Sequence, residues 1–375
     1  MKIVLTVNAA WNIWNFRLPL VNALLAEGHE VIVLAPEDDA TPKLQALGCQ
    51  IVHLDMDVKG LNPLQDMLLW MRFMGLFRQL RPDAILSFTI KNNLYGALAA
   101  KALRIPFVPN VTGLGTAFLS GRMLERVATV LYRLAFRRLP AVFFQNEDDR
   151  TLFVSRELVT DRQARLLPGS GIDLGRFAAV PYPENSEGTI FLLIARLLRD
   201  KGIAEYVEAA RQVKASHPQT RFQILGALAS QNRSAIDPDT VRGWVEEGVI
   251  EYLGTVDDVQ PVIAAAHCVV LPSYREGAPR TLIEAAALGR SLIATDVPGC
   301  RAVVDHDTSG FLCKAHSGDS LAEACTKFLN LDDGARAEMG RAGRRKMERE
   351  FNHEIVVSAY RRVLQSLLPA AQAPS

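Results

Sequence analysis

Two carboxylates and two cations draw attention first, because their spacing ties each pair to one strand-to-helix junction. Glu276 and Glu284, with seven residues between them, lie in the stretch VVLPSYREGAPRTLIEAAA that runs from Val269 to Ala287. The stretch opens as an apolar strand (Val269, Val270, Leu271), breaks at Pro272, crosses a polar loop and enters a helix at Pro279. Proline is favoured in a helical first turn, where its missing N–H would have had no partner. One carboxylate therefore falls in the loop and the other in the helix. Free backbone N–H groups and the positive end of the helix dipole suit an anion or a ring of hydroxyls in front of the loop. Arg196 and Lys201 lie in Ala195–Gly202, ARLLRDKG, where another strand gives way to a helix. Two cations at that edge would neutralise a diphosphate and stabilise it as a leaving group, Arg by a bidentate grip and Lys as a compact point charge. As ordinary surface residues they would put positive charge at the unfavourable end of a helix dipole. Gly226 and Gly254 follow two further strands and open edge loops where a base could slide against the backbone. Strand ends of this kind are where open α/β sheets bind ligands, and a nucleotide-linked sugar fits the set.

Such a site requires parallel strands alternating with helices, and the chain has that rhythm twice. In the first half, strands are expected at 2–7, 31–34, 51–54, 84–88, 107–111 and 142–145, with helices at 16–27 and 64–80 and on to Leu103. The second half restarts with strands at 190–195, 221–225, 250–253, 269–271 and 291–294 and helices at 203–216 and 240–247, then closes on helices. This alternation argues for parallel sheets covered by helices on both faces. At 375 residues the chain is long for one core, so two domains are expected. The Pro- and Gly-dense run 167–173 and the stretch 181–184 mark a linker between units 1–170 and 185–350. The amphipathic last helix, 354–368, crosses back to the first unit, and the tail AAQAPS is expected to be disordered.

The first unit carries candidates for a second substrate. The loop after its first strand, Asn8 to Asn15, lacks G-x-G-x-x-G, so a dinucleotide site is not indicated. It holds Trp11, Asn12, Trp14 and Asn15, then Arg17, which could stack on and hydrogen-bond a sugar acceptor or pack as an aromatic cluster. Lys91 follows the strand 84–88, and Thr112 and Gly113 follow the strand 107–111. Their loop either brings backbone close to a ligand or makes a tight turn.

Formal net charge is +1, which supports no argument for nucleic acid, but residues 1–170 hold 19 Lys and Arg against 15 acids. The excess gathers in Gly121–Arg138, where Arg122, Arg126, Arg133, Arg137 and Arg138 face one acid, Glu125. Leu124, Val127, Leu131, Leu134 and Ala135 recur at helical spacing, giving a basic amphipathic helix. It suits an anionic membrane surface or an ordinary solvated face. No window approaches 18 uninterrupted apolar residues, and the N-terminal apolar run is too short for a secretory signal. Five cysteines without a C-x-x-C pair fit reduced thiols, and a cytoplasmic location is expected. None of the seven histidines falls in a site loop, and there is no Asp-x-Asp or histidine cluster to suggest a metal.

At this point a resemblance becomes specific. ARLLRDKG followed by EGAPRTLIE resembles the paired signatures of the retaining GT-B glycosyltransferases of family 4, whose second signature is a Glu, seven residues and a Glu. The similarity extends over nearly the whole chain, through FRLPLVNAL, KNNLYGALAAK, NVTGLGTAF and LPGSGID. It is greatest to the bacterial branch that extends undecaprenyl-diphosphate-linked glycans, the N-acetylgalactosaminyltransferases among them. The resemblance implies two Rossmann-like domains facing across a cleft, an acceptor-binding 1–170 and a nucleotide-sugar-binding 185–350. It implies retaining, metal-independent transfer from a nucleotide-sugar, UDP-linked by expectation, with no further cofactor. The acceptor would be a lipid-linked oligosaccharide at the inner face of an anionic membrane. Residue by residue, Arg196 and Lys201 would bind the donor diphosphate, Glu284 the ribose hydroxyls, and Glu276 the sugar, helped by backbone of Gly277, Ala278, Pro279 and Arg280. Many family members carry a histidine where this chain has Thr112. A soluble-acceptor transferase, or a sugar-nucleotide-binding module without catalysis, is the alternative reading.

Overall fold

Short runs of Val, Ile, Leu and Phe form two all-parallel sheets, each in its own unit. The computed structural model describes residues 1–58, 62–113, 122–184, 188–228 and 234–367. Unit 1 comprises Met1–Gly171 with the chain from His353 onward, and unit 2 comprises Ile172–Asn352.

The strands of unit 1 are β1 (Lys2–Thr6), β2 (Glu30–Ala35), β3 (Gln50–His53), β4 (Ala84–Phe88), β5 (Phe107–Val111), β6 (Val142–Phe144) and β7 (Ala164–Leu166), in the spatial order 3-2-1-4-5-6-7. Side chains alternate across the sheet, so Ile3 and Leu5 enter one core and Val4 the other. Its helices are α1 (Ala10–Phe16), α2 (Leu18–Ala26), α3 (Thr41–Ala46), α4 (Pro63–Leu80), α5 (Ala97–Leu103), α6 (Arg122–Phe136) and α7 (Glu147–Ser155), with a π-helical turn Asn92–Gly96 leading into α5. The C-terminal helix, His353–Leu367, places Val356, Tyr360, Val363 and Leu364 in the same core as Ile3 and Leu5.

Unit 2 has β8 (Ile190–Ile194), β9 (Arg221–Leu225), β10 (Glu251–Tyr252), β11 (Cys268–Leu271), β12 (Ser291–Thr295) and β13 (Gly310–Cys313), ordered 10-9-8-11-12-13. Its helices are α8 (Ile203–Ser216), α9 (Pro238–Glu246), α10 (Gln260–Ala265), α11 (Arg280–Ala287), α12 (Cys300–Val303), α13 (Gly318–Leu329) and α14 (Asp333–Lys346). In both sheets strand order reverses beside the first strand of the unit, between β1 and β4 and between β8 and β11. Those reversals leave crevices at the carboxyl ends, where ligands bind in open α/β folds.

Several expectations are corrected. Asn12, Trp14 and Asn15 lie on helix α1 rather than in a loop, and the helix expected over 16–27 begins instead at Leu18. Pro19 sits in the first turn of α2 and has no N–H to continue α1, so the chain breaks at Arg17. Helix α11 starts at Arg280, with Pro279 as its extended N-cap. Strands β7 and β13 escape notice in the sequence because β7 (ARL) buries only Ala164 and β13 (GFLC) opens on a glycine, so neither reads as an apolar β-rich run. The tail AAQAPS, Leu368 of the last helix and the segment beyond Gly113 lie outside the described residues.

Candidate active site

In unit 2 the crevice is built from the loops that leave β8 and β11. After β8 the chain keeps pairing briefly, Ala195 N donating to Leu225 O at 3.1 Å and Leu197 N to Ala227 O at 3.1 Å. It then winds one 3-10 turn, Arg199–Lys201, and enters α8 through Gly202 at φ +72°. A Cβ on Gly202 would lie 2.1 Å from Pro272 O, so glycine lets this turn press against the loop after β11. The contact is fixed by Tyr274 N donating to Asp200 O at 3.0 Å. Its consequence is an ion pair, Lys201 Nζ to Glu276 Oε1 at 2.5 Å, with side chains only 21% and 14% exposed. Arg196 stands exposed at the same sheet edge and makes no ion pair among the described residues.

Gly202→Ala is expected to destabilise the protein by about 2–4 kcal/mol, combining left-handed strain with overpacking. Calorimetry should show a lowered melting transition for unit 2. An unchanged transition would mean that the two loops are not wedged together.

Glu284 sits in the second turn of α11 and takes Arg280 Nε on Oε1 at 2.7 Å. Burial raises its carboxyl above the ordinary range, and the Arg280 and Arg176 charges pull it partly back. Helix α11 has no side-chain N-cap, and its first turn closes on Pro279, whose carbonyl accepts from Leu282 N at 3.1 Å and from Ile283 N at 3.2 Å. Thr281 Oγ1 donates to Ile194 O at 3.2 Å and ties that helix start to the end of β8. Gly277 and Ala278 are half-buried between these anchors, and Pro279 is buried. Behind the loop, Gly299 at φ +67° comes so close that a Cβ would stand 2.6 Å from the carbonyl oxygens of Glu276 and Gly277. Gly226 and Gly254 are joined to each other, Gly226 N donating to Gly254 O at 2.7 Å. Gly226 O also accepts from Tyr252 Oη at 2.9 Å, so its backbone polar groups are already engaged.

Three side chains around this crevice, Glu205, His316 and Thr295, were not anticipated. Tyr274 donates its hydroxyl to Glu205 at 2.7 Å, and the His316 ring lies 3.7 Å from the Tyr274 ring. That contact corrects the expectation that no histidine reaches a site loop. Thr295 Oγ1 donates to Ser273 O and holds the loop from the β12 side. These contacts span from 22 residues, for Thr295 and Ser273, to 69, for Tyr274 and Glu205, and no local pattern signals them.

In unit 1 the residues expected on the acceptor side are dispersed over different environments. On α1, Asn12, Trp14 and Asn15 are half-buried; Asn15 Nδ2 donates to Trp11 O at 3.0 Å, and Lys43 Nζ lies 5.6 Å from the Trp14 ring. Arg17 is 4% exposed, its guanidinium 4.5 Å above the Phe88 ring. Lys91 pairs with Asp66 at 2.9 Å, and Asp66 also accepts from Tyr95 Oη at 2.8 Å. Thr112 and Gly113 are half-buried just past β5. At the carboxyl edge of the sheet, Asn92 Nδ2 donates to Thr6 Oγ1 at 2.8 Å and Asn93 Nδ2 to Asn110 O at 2.8 Å. Asn110 Nδ2 in turn donates to Tyr360 Oη at 3.0 Å, so the C-terminal helix is bonded into the same edge.

Two family models match the sequence. The glycosyl transferase 4-like domain matches residues 13–169, and glycosyl transferases group 1 match residues 178–346. The Campylobacter jejuni N,N'-diacetylbacillosaminyl-diphospho-undecaprenol alpha-1,3-N-acetylgalactosaminyltransferase is 28% identical over 346 residues, covering 88% of this chain and 89% of its own. An Escherichia coli UDP-Gal:alpha-D-GlcNAc-diphosphoundecaprenol alpha-1,3-galactosyltransferase is 23% identical over 81% of this chain and 78% of its own. Among solved structures, Anabaena HepE in complex with UDP and glucose superposes with a TM-score of 0.78 at 18% identity. The match covers 98% of this chain and 100% of that one, a likeness of fold.

Proposed function

The chain belongs to the group 1 glycosyl transferases of GT-B fold, with a 4-like first domain, and we propose that it is a retaining, UDP-sugar-dependent enzyme of polysaccharide assembly. In this reading it moves a hexose or N-acetylhexosamine onto a polyprenyl-diphosphate-linked glycan. The observation that carries the proposal is the Lys201–Glu276 pair, 2.5 Å apart at the strand-order reversal of unit 2, with Arg196 exposed beside it. Support for the lipid-linked acceptor comes from the two undecaprenyl-diphosphate relatives. Exposed Arg126, Arg133, Arg137 and Arg138 on and just after α6 suit the anionic inner face of a membrane.

The chemistry assigned to each side chain follows from its charge and setting. Arg196 and Lys201 accept the negative charge that collects on the diphosphate as the C1–O bond lengthens. Lys201 exchanges its Glu276 partner for phosphate oxygen, which frees Glu276 to accept hydrogen bonds from the donor sugar. Glu284 accepts from the ribose hydroxyls. The acceptor hydroxyl bonds to C1 on the face the phosphate leaves and passes its proton to the departing phosphate oxygen, so the anomeric configuration is kept. With two cations meeting the diphosphate charge, no divalent metal is required for the step.

The test is a panel of UDP-, GDP- and ADP-sugars scored by thermal shift, followed by NMR of the product anomer with a polyprenyl-diphosphate-linked acceptor. A shift and transfer confined to UDP-sugars, with retention and without loss in EDTA, is expected. No shift with any nucleotide would overturn the donor assignment, and an inverted product would overturn the mechanism.

A further inference from the structure

One large feature of unit 1 has no part in the chemistry above. Helices α4, α5 and α6 and the π-helical turn Asn92–Gly96 line an open groove of about 680 Å³, walled by Met67, Trp70, Leu94, Leu98, Val127 and Leu131. Its size is that of a small-molecule pocket rather than of a packing defect. The surface around it is apolar too: Leu64, Met67, Leu68 and Met71 on α4 and Val127, Val130 and Leu134 on α6 are all exposed. Of the fifteen large hydrophobic side chains exposed among the described residues, these two helices hold seven. A concentration of that kind marks a binding surface, because scattered single residues are the norm elsewhere.

The charges at the pocket define its occupant. Lys91 and Asp66 lie in its wall, paired at 2.9 Å and only 14% and 16% exposed, and Tyr95 donates to Asp66. Arg126 is exposed next to Val127 on α6. A hydrocarbon wall with cations at its margin complements an amphiphile that carries an anionic head on an apolar chain. A water-soluble sugar or peptide would leave most of that wall without a partner.

We propose that this groove binds the isoprenoid chain of the acceptor, holding the units nearest the diphosphate between α4, α5 and α6. The inference rests on the lipid-linked acceptor reading above and adds a place for the chain. Tail binding stabilises the acceptor complex without contributing to the reacting atoms, so it acts on acceptor KM rather than on kcat.

The test compares acceptors with one glycan diphosphate, N-acetylglucosaminyl or N,N'-diacetylbacillosaminyl, on either undecaprenol or the short terpenol citronellol. Val127→Asp puts a charge on an exposed wall position, and Leu98→Trp fills the groove without adding charge. Each is expected to raise KM for the undecaprenyl acceptor about tenfold, the scale of losing contact worth a few buried methylenes. KM for the citronellyl acceptor, whose two isoprene units fill only part of the groove, should rise far less, and KM for the donor should stay as in the wild type. Leu166→Asp, exposed on β7 away from the groove, should change neither. Equal effects on both tails, or none on either, overturn the proposal. A second arm floats each variant with phosphatidylglycerol vesicles that lack acceptor. Leu98→Trp floating like wild type supports a site for the acceptor's own chain, and loss of flotation would make the groove a bulk bilayer contact instead. Wild-type protein that turns over neither lipid-linked acceptor removes the acceptor reading, and the occupant with it.

Discussion

Lys201→Ala and Arg196→Ala are each expected to lower kcat by about two powers of ten or more, the scale for removing one preorganised charge donor. The two losses should differ in kind. Lys201 is paired with Glu276 at 2.5 Å, so its removal also leaves a half-buried carboxylate facing the incoming diphosphate. Donor affinity should therefore fall together with kcat. Arg196 is exposed and makes no ion pair among the described residues, so its removal should leave the melting temperature unchanged while turnover collapses. A double variant separates the possible roles of Lys201. If the lysine served only to neutralise Glu276, Lys201→Ala with Glu276→Ala would recover activity over Lys201→Ala alone. If it carries charge on the leaving phosphate, the double variant stays at least as slow. A glycosyl fluoride, whose leaving group needs no diphosphate cradle, gives a second readout, since both alanine variants should use it with much smaller losses. Near-normal turnover of the nucleotide-sugar by both variants would sink the assignment of these cations.

What was legible in the sequence is local. The apolar run Val269–Leu271, the proline break and Glu284 on the next helix all lie within one strand–loop–helix unit, and the structure has strand Cys268–Leu271 followed by helix Arg280–Ala287. Arg196 and Lys201 are readable for the same reason, because one turn joins β8 to α8. Two all-parallel sheets follow from strands buried on both faces, which leave continuous apolar runs such as Ile190–Ile194. Helix α1 was not legible. It is seven residues long, lacks a side-chain cap and buries only Ala10 and Ile13, so little periodicity reaches the sequence. The closure of the β11 loop was not legible either. Gly299 backing Glu276, Thr295 holding Ser273 and His316 lying against Tyr274 are long-range contacts, and each residue looks ordinary in its own segment. The groove beside Lys91 was hidden similarly: the sequence shows that 64–80 is a strongly apolar helix but not which of its apolar residues face out, and Leu64, Met67, Leu68 and Met71 do.

Glu284→Gln is expected to weaken UDP-sugar binding about 10- to 100-fold, since hydrogen bonds to an ionised group contribute about 1.5–3 kcal/mol. The same change should not cost stability. Burial raises the Glu284 carboxyl above its ordinary value even with Arg280 at 2.7 Å, so the folded protein holds that proton more tightly than the unfolded chain does. For an acid shifted in this direction the favourable contribution is present at low pH. It is lost as pH rises through the unfolded value, about 4.3, toward the raised folded one. At neutral pH the charged carboxylate is thus held against a net burial penalty, and a neutral isostere of the same shape removes it. The melting temperature of Glu284→Gln should equal or exceed that of the wild type at neutral pH, with the difference shrinking as the solution is acidified. Donor affinity should show the opposite sensitivity. Wild-type binding should weaken as pH falls into the raised range, while the glutamine variant stays weak and nearly flat. Calorimetric titration of UDP-sugar across that range measures both. A glutamine variant that binds donor as tightly as wild type would remove Glu284 from the ribose site. One that melts well below wild type would mean that the Arg280 pair outweighs the cost of burying the charge.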